Sequence, residues 1–193
     1  MFKHAIHYAH ELLTSCTLPG ETVIDGTCGN GHDTVKLSKL VGKEGKVLAF
    51  DIQDQAIKNT KALLTKENIN NVIVIQDDHQ YSYKYLPQEL NQKVAGAIFN
   101  LGYLPGGNKK IITKPESTIK AVDSLAESLK VHGIICLVVY HGHPGGETEK
   151  DALLEDLKYY NQNNFNVIQY GFINQKNKPP FVIAIEKIKH PDN

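Results

Sequence analysis

The sequence predicts an α/β protein built on a seven-stranded, mostly parallel sheet with helices on both faces. Three observations support this fold class. Short apolar runs alternate with segments whose apolar residues recur at helical spacing, as in a parallel sheet with right-handed crossovers. A glycine-rich turn joins the first apolar run to the next helical segment. The last two runs, 165–171 and 180–187, flank a polar stretch and predict an antiparallel hairpin at one edge.

The elements follow in order along the chain. Residues 2–13 carry apolar side chains at helical spacing, from Phe2 to Leu13, and predict an N-terminal helix. The run at 72–76 is continuously apolar, so we expect a strand that is buried on both faces. The other predicted helices cover residues 33–40, 53–66, 116–130 and 147–161, and the other predicted strands cover residues 46–51, 94–100 and 133–140.

Length and composition limit the class of protein. The chain has 193 residues, which fits one domain, 1–193, with a full core. The net charge is zero, so any contact with nucleic acid must come from a local patch. No apolar run approaches the ~20 residues of a membrane span. Three cysteines without C-x-x-C spacing fit a reducing compartment, and we expect a cytoplasmic protein that binds no membrane.

The glycine-rich turn predicts a nucleotide-binding loop. Gly29 and Gly31 let the backbone turn sharply and approach a ligand. The dinucleotide fingerprint G-x-G-x-x-G fails, because Thr34 stands at its third glycine, and the Gly-Lys-Ser/Thr ending of a P-loop is absent. Asp25 at the strand end, followed by Thr27 and the two glycines, resembles the first motif of class I S-adenosylmethionine-dependent methyltransferases. That motif is written D/E-x-G-x-G-x-G, and here Thr27 stands in place of its first glycine. The alternative is a turn that binds no cofactor.

Further polar residues stand at the ends of predicted strands, where ligands of such a sheet bind. Asp51 follows the glycines by about 20 residues and can accept both ribose hydroxyls of a nucleoside, or it can cap the next helix. Asp78 can accept a hydrogen bond from the amino group of an adenine, with His79 lying beside the adenine ring. Alternatively, Asp78 belongs to a solvated acidic turn. His141 and His143 follow a later strand.

We expect no metal site. His4, His7 and His10 recur every third residue, so they rotate around a helix without sharing a face. They are then surface histidines, or His10 lines the pocket. A second set of metal-binding residue types stands at strand ends: Asp77, Asp78, His79 and His141. Nothing in the spacing of that set fixes a tetrahedral geometry.

The segment from Asn100 to Pro105 carries the predicted chemistry. It resembles the N/D-P-P-Y/F motif of amine methyltransferases, with Leu-Gly in place of Pro-Pro. The amide oxygen of Asn100 and a nearby backbone carbonyl can accept the N–H groups of an amine, while Tyr103 offers a face on which a base stacks. Glycine does not fix φ as proline does, so this loop is less constrained than that motif. Alternatively, Asn100 ends the strand and the apolar residues after it pack.

Together these segments resemble a small bacterial family labelled putative rRNA methylases, which includes tRNA methyltransferases that act on 5-aminomethyluridine at the wobble position. The resemblance covers nearly the full length, from the Ala9-His-Glu-Leu-Leu13 helix to the Tyr140-His-Gly-His-Pro-Gly-Gly146 segment. It implies a Rossmann-like fold, S-adenosylmethionine as cofactor, and methyl transfer to the amine of 5-aminomethyl-(2-thio)uridine in a tRNA anticodon loop. It also implies that residues 1–18 cover the cofactor site.

Three sets of site residues follow from the motifs and the resemblance. The expected cofactor-binding residues are Asp25, Thr27, Gly29, Asn30, Gly31, Asp33, Thr34, Asp51, Ile52, Gln53, Asp78, His79 and Asn100. The expected catalytic residues are Asn100, Gly102 and Tyr103. The expected substrate-binding residues are Tyr103, Leu104, Lys109, His141 and His143. Five lysines flank the proposed site and either hold phosphates of the RNA or are ordinary surface residues: Lys84, Lys93, Lys109, Lys110 and Lys114.

The chemistry requires a neutral amine, because an ammonium has no lone pair. Its proton goes to water, His79 or His141, among which the sequence does not choose. Three rival functions stay open: an rRNA or small-molecule amine methyltransferase, a nicotinamide oxidoreductase, and a non-catalytic cofactor-binding protein associated with RNA. The sequence also leaves open the preferred tRNA and the oligomeric state, a homodimer included.

Overall fold

A seven-stranded sheet forms the centre of the computed structural model, which describes residues 1–90 and 93–189. In chain order, the strands are β1 (Thr22–Asp25), β2 (Lys46–Asp51), β3 (Val72–Gln76), β4 (Val94–Leu101), β5 (Leu129–Val139), β6 (Phe165–Tyr170) and β7 (Phe181–Lys187). The α-helices are α1 (Ala5–Cys16), α2 (His32–Val41), α3 (Asp54–Lys66), α4 (Pro115–Ser128) and α5 (Gly146–Leu157). Two short 3₁₀ segments cover His79–Tyr85 and Gln88–Leu90.

The strand order is β3-β2-β1-β4-β5-β7-β6. Strands β1 to β5 pair in parallel, whereas β7 is antiparallel to both β5 and β6. The predicted fold is therefore confirmed: six strands run one way, one is reversed, and an antiparallel pair closes one edge.

Helices cover the sheet on both faces. On one face, Leu13 of α1 and Leu37 of α2 pack with strand residues such as Ile98. On the other face, Leu125 of α4 and Leu153 of α5 pack in a cluster of buried apolar residues with the strands. Each of these side chains is almost fully buried, so both helical layers contribute to the apolar core.

Strand β3 is less buried than expected. It lies at the edge of the sheet beside β2, and Ile73 keeps 52% of its surface exposed. The expectation of a strand buried on both faces is wrong, because a continuously apolar run does not show whether a strand is central or at an edge.

Several further boundaries differ from the prediction; helix α5, for example, ends at Leu157 instead of residue 161. Helix α1 begins at Ala5, so Phe2 lies outside it with an exposed side chain. Strand β5 begins at Leu129, because its pairing with β4 contains a bulge. At this bulge His132 takes a positive φ of 64°. The apolar pattern alone did not indicate this irregularity.

The topology places one site at the carboxyl ends of the strands. The chain leaves β1 toward β2 on one side, while β4 pairs with β1 on the other. The loops after β1 and β4 therefore diverge from neighbouring strand ends, which is where doubly wound sheets bind ligands. In residues 1–90 and 93–189, no helix has the length and apolar character that crossing a membrane requires.

Candidate active site

A cavity of about 700 Å³ opens at this switch point. The loops that follow β1, β2, β3 and β4 form most of its wall, and Ile6 of α1 and Tyr140 after β5 add to it. The predicted site residues that line it are Thr27, Gly29, Asn30, Asp33, Asp51, Ile52, Gln53, Asp78, His79, Asn100, Gly102, Tyr103, Leu104 and Lys109. Helix α1 thus contributes to the cavity through Ile6.

Asp25 and Thr34 lie behind the glycine loop rather than on the cavity wall. Asp25 is fully buried, accepting a hydrogen bond from the Thr34 hydroxyl at 2.6 Å and one from the Thr27 N–H at 3.2 Å. Burial, reinforced by the nearby carboxylate of Asp33, raises the pKa of Asp25 to about 7. Both residues brace the loop, and neither contributes to the wall of the cavity as described.

The two glycines of the loop serve different purposes. Gly29 lines the cavity with a φ of 52°. Gly31 has a φ of 85° and precedes α2, where a Cβ would lie 3.0 Å from the Cα of Thr60 in α3. Gly31 is therefore required for close packing of the loop on α3, not for a space on the cavity wall.

Asp51 links the glycine loop to the end of β2. Its two carboxylate oxygens accept the backbone N–H of Gly29 at 3.0 Å and that of Gln53 at 2.9 Å. Burial raises the pKa of Asp51 above its ordinary value, although these hydrogen bonds act in the opposite direction. The carboxylate lines the cavity with further lone pairs available to a ligand.

His79 presents a nitrogen without a partner. The residue is 7% exposed and lines the cavity, and Nδ1 of its ring lies 3.2 Å from the carbonyl oxygen of Gly26. Burial lowers the pKa of His79, so the ring is neutral and Nδ1 carries the proton that faces this carbonyl. Nε2 then keeps a buried lone pair with no hydrogen-bond partner among the described residues. Next to it, Asp78 accepts the N–H of Gln80 at 3.0 Å.

Asn100, at the end of β4, is tied to the loop after β1 in two ways. Its backbone N–H donates to the Thr27 hydroxyl at 2.7 Å, and its side-chain NH₂ donates to Asp33 at 2.7 Å. The threonine that replaces the first glycine of the motif therefore joins the cofactor loop to the strand that carries the predicted catalytic residue.

The loop after β4 folds back on itself. Tyr103 forms an isolated antiparallel bridge with Ile112, and the Thr113 N–H donates to the Gly102 carbonyl at 2.9 Å. The amide of Asn30 donates to the Pro105 carbonyl at 3.3 Å. These bonds hold the loop without the two prolines of the amine methyltransferase motif. They also occupy one lone pair of the Gly102 carbonyl, a backbone carbonyl close to Asn100 in the chain.

Tyr103 is 38% exposed at the mouth of the cavity, and the ammonium of Lys109 lies 5.7 Å from its ring centre. The ring of His143 contacts Tyr103 edge-on, with 5.7 Å between ring centres. His143 thus supports Tyr103 from behind, and the described cavity wall does not include it.

His141 also lies outside the wall of the cavity. Its Nδ1 is 3.1 Å from a carboxylate oxygen of Glu147, and its Nε2 is 3.2 Å from the carbonyl of Pro179. Both ring nitrogens are occupied, so His141 connects the segment before β7 to α5 in this structure. Its predicted substrate contact stays a prediction.

Several residues on the wall were missed in the sequence. Tyr140 lines the cavity and directly follows β5, so the strand-end rule could have indicated it. Ile6 belongs to the N-terminal segment that was expected to cover the site, although the residue itself was not singled out, whereas the sequence context of Ser117 in α4 carries no signal for a site. In the described ranges, no group of three or more residues is arranged to hold a metal ion.

Comparisons with known proteins agree with this geometry. The model of the putative rRNA methylase family matches residues 47–186, and that of protein-L-isoaspartate O-methyltransferases matches residues 3–87. A putative rRNA methylase from Clostridium thermocellum has a similar structure, with a TM-score of 0.93 and 44% identity over 97% of this chain and 100% of that one. A putative methyltransferase from Streptococcus mutans in complex with SAH has a TM-score of 0.88 and 41% identity, over 97% of this chain and 100% of that one.

A curated relative adds a substrate class. The chloroplastic tRNA (mnm⁵s²U34)-methyltransferase of Arabidopsis thaliana is 42% identical over 161 residues, which are 78% of this chain and 58% of that protein. This chain therefore spans less than two thirds of that relative. The family match covers most of the sheet, the fold agrees over nearly the whole chain, and a similar structure holds SAH. The chain belongs to the putative rRNA methylase family of S-adenosylmethionine-dependent methyltransferases.

Proposed function

We propose that this protein transfers a methyl group to the amine of 5-aminomethyl-(2-thio)uridine at the wobble position of tRNA, giving the 5-methylaminomethyl nucleoside. The observation that carries the proposal is the anchored Asn100 on the cavity wall, next to the loop that bears Tyr103. The Arabidopsis relative, named for this tRNA nucleoside, supports the substrate class.

The residues on the wall fit S-adenosylmethionine. Asp51 offers lone pairs for ribose hydroxyls, and the unpartnered Nε2 of His79 offers a buried acceptor next to Asp78, the residue proposed for the adenine amino group. The glycine loop at Gly29 and Asn30 would hold the amino-acid end of the cofactor. When bound, the cofactor supplies an electrophilic methyl group on a sulfonium.

Positioning is the main task of the chain's own residues. A well-oriented reaction can gain ~7–11 kcal/mol from alignment alone. We propose that the Asn100 amide oxygen accepts an N–H of the neutral amine and thereby directs its lone pair at the methyl group. The Gly102 carbonyl keeps one lone pair beside its bond to Thr113 and can take a second N–H.

The described contacts favour water as the acceptor of the proton from the ammonium. His141 has both nitrogens occupied. His79 has a free lone pair, but burial lowers its pKa and makes it a poor base. We therefore propose that the amine loses its proton to solvent before it enters the cavity.

We propose that the RNA contact lies at the mouth of the cavity. Tyr103 offers a ring face for the flipped nucleoside or its neighbour, and Lys109 and Lys114 on the same wall offer ammonium groups to the phosphates of the anticodon loop. A single-stranded loop makes nucleoside extrusion less costly than in a duplex. We also propose that the protein is cytoplasmic and forms a homodimer.

An rRNA substrate is the second candidate, because the family's description names rRNA. Both candidates are tested by incubating the protein with labelled S-adenosylmethionine and either tRNA that lacks the final methyl group or unmodified rRNA. We expect label in the tRNA, recovered as 5-methylaminomethyl-(2-thio)uridine after nucleoside analysis. Label in rRNA with none in the tRNA would contradict the proposal.

A further inference from the structure

The amide of Asn100 has two chemically different ends, and the proposed reaction needs one of them. Its oxygen accepts hydrogen bonds, whereas its NH₂ donates them. An amine that attacks a methyl group must keep its lone pair free, so its N–H groups need an acceptor. An Asn100 that presented NH₂ to the cavity would instead donate to the lone pair and block the attack.

The neighbour of this amide decides its orientation. A carboxylate oxygen of Asp33 lies 2.7 Å from the side-chain nitrogen of Asn100. Burial by itself raises the pKa of Asp33, but the hydrogen bonds from His10 and Asn100 outweigh it and lower the pKa below its ordinary value. An ionised carboxylate only accepts hydrogen bonds, so the NH₂ of Asn100 must point toward it. The amide oxygen then points away from Asp33.

Asp33 is itself held from behind. Its other oxygen lies 2.7 Å from Nε2 of His10, and both side chains are 16% exposed. The ammonium of Lys36 lies 3.0 Å from Nδ1 of the same ring. Because an ammonium has only donors, Nδ1 must be the acceptor and Nε2 must carry the proton that faces Asp33. Lys36 therefore donates to His10, and both His10 and Asn100 donate to Asp33, so the hydrogen bonds converge on the Asp33 carboxylate.

We propose that Asp33 is a positioning residue which, with His10 behind it, fixes the Asn100 amide so that its oxygen faces the acceptor. The site is thereby selective for an acceptor that donates an N–H. The inference rests on the proposed amine chemistry. The backbone of Asn100 is held separately by Thr27, so loss of Asp33 frees the orientation of the amide without removing it from the site.

The test is a double-mutant cycle with Asp33→Asn and Asn100→Ala, measured on tRNA that lacks the final methyl group. Asp33→Asn keeps the shape of the side chain, but its amide can face Asn100 with either end. We expect kcat to fall about tenfold or more in the single variant. In the Asn100→Ala background the same change should alter kcat by less than about twofold, because its effect passes through Asn100.

Two outcomes would overturn the inference. If the two kcat effects multiply, Asp33 acts independently of Asn100. If Asp33→Asn raises the Kd for S-adenosylmethionine more than about tenfold while kcat is unchanged, Asp33 binds the cofactor and does not position the amide. Lys39→Ala is the matched control, since Lys39 lies on the same helix, pairs with Glu67 and is exposed. It should leave both constants unchanged.

A measurement without turnover separates this inference from the proposed function. The side-chain amide resonances of Asn100 can be assigned by NMR from their loss in Asn100→Ala. We expect them to shift clearly in Asp33→Asn, since a charged acceptor is replaced by a neutral one, and to stay in place in Lys39→Ala. An unchanged Asn100 signal overturns the inference even if the enzyme is active. If the Asn100 resonances shift in Asp33→Asn as expected but the wild-type protein methylates no tRNA, only the proposed function is overturned.

Discussion

Asn100 is the residue whose loss should separate catalysis from cofactor binding. We expect Asn100→Ala to reduce methyl transfer by roughly ten-fold to a thousand-fold, because one orienting hydrogen bond in the transition state is lost. Cofactor affinity, measured by calorimetry, should be nearly unchanged. Asn166→Ala, on the exposed part of β6, is the control and should leave the rate intact. An Asn100→Ala protein that methylates tRNA at the parent rate would show that the acceptor group lies elsewhere.

Asp25 should make stability depend on pH. Its folded-state pKa of about 7 lies above the value of 3.8 expected for an exposed Asp, so between these values the folded protein holds a proton that the unfolded chain has lost. Stability should therefore fall as pH rises through this window, by about 4 kcal/mol in total, since each pH unit of the window contributes ~1.4 kcal/mol.

Asp25→Asn cannot ionise, so the variant should escape this loss. The measurement is urea unfolding of both proteins from pH 4 to pH 8, since other titrations cancel in the difference. A difference between the two proteins that is flat with pH would mean that Asp25 is ionised in the folded protein.

At the residue scale, the sequence was a good guide to which residues surround the site. It was a poorer guide to what each of them does. The strand-end rule led to Asp51, His79 and Asn100, all of which line the cavity. It could not show that Asp25 turns inward, because this depends on the Thr34 hydroxyl brought beside it by the turn. Long-range partners such as His10 and Asp33 are invisible to local spacing for the same reason.

At the scale of elements, the glycine loop should tolerate a side chain at Gly31 poorly. Residue 31 has a positive φ, which disfavours any side chain, and a methyl group there would lie only 3.0 Å from the backbone of Thr60. We expect Gly31→Ala to lower the free energy of unfolding by about 2–4 kcal/mol, since α2 or α3 must shift.

Gly20→Ala is a matched control for this prediction. Gly20 also has a positive φ, of 90°, but a Cβ there would have nothing within 4 Å. It should cost about 1 kcal/mol, from backbone strain alone. Equal losses in the two variants, measured by chemical denaturation, would mean that the contact with α3 does not matter.

Element types were predicted well because apolar periodicity reflects burial directly. The failures concern what periodicity does not contain. Strand β3 has the apolar run of a central strand but lies at an edge, and the start of β5 is displaced by a bulge opposite Val94 and Gly96. Both depend on the neighbour of a strand rather than on the strand itself.

At the scale of the whole molecule, the RNA should be held by a surface separate from the cofactor contacts. We expect Tyr103→Ala to weaken tRNA binding by about 1–3 kcal/mol, the value of one stack of a base on an aromatic ring, with cofactor affinity unchanged. Filter binding or fluorescence anisotropy would measure this.

The chain offers a control for that experiment. Tyr159 is exposed with the ammonium of Lys158 at 4.9 Å, similar to Tyr103 with Lys109 but after helix α5. Tyr159→Ala should leave tRNA affinity unchanged. Equal losses in both variants would indicate non-specific binding by any tyrosine and lysine pair, and the proposed RNA contact at the cavity mouth would fail.

The position of β7 has a consequence for how the protein is made. Strand β7 follows β6 in the chain but lies between β5 and β6 in the sheet. During synthesis, Phe165–Tyr170 therefore leaves the ribosome with no strand to pair with, while the edge of β5 stays open. Unpaired edges are sites of aggregation. If translation stalled before Phe181, the nascent chain would carry both the unpaired segment Phe165–Tyr170 and the open edge of β5. Both would stay unpaired until the residues of β7, up to Lys187, had been translated.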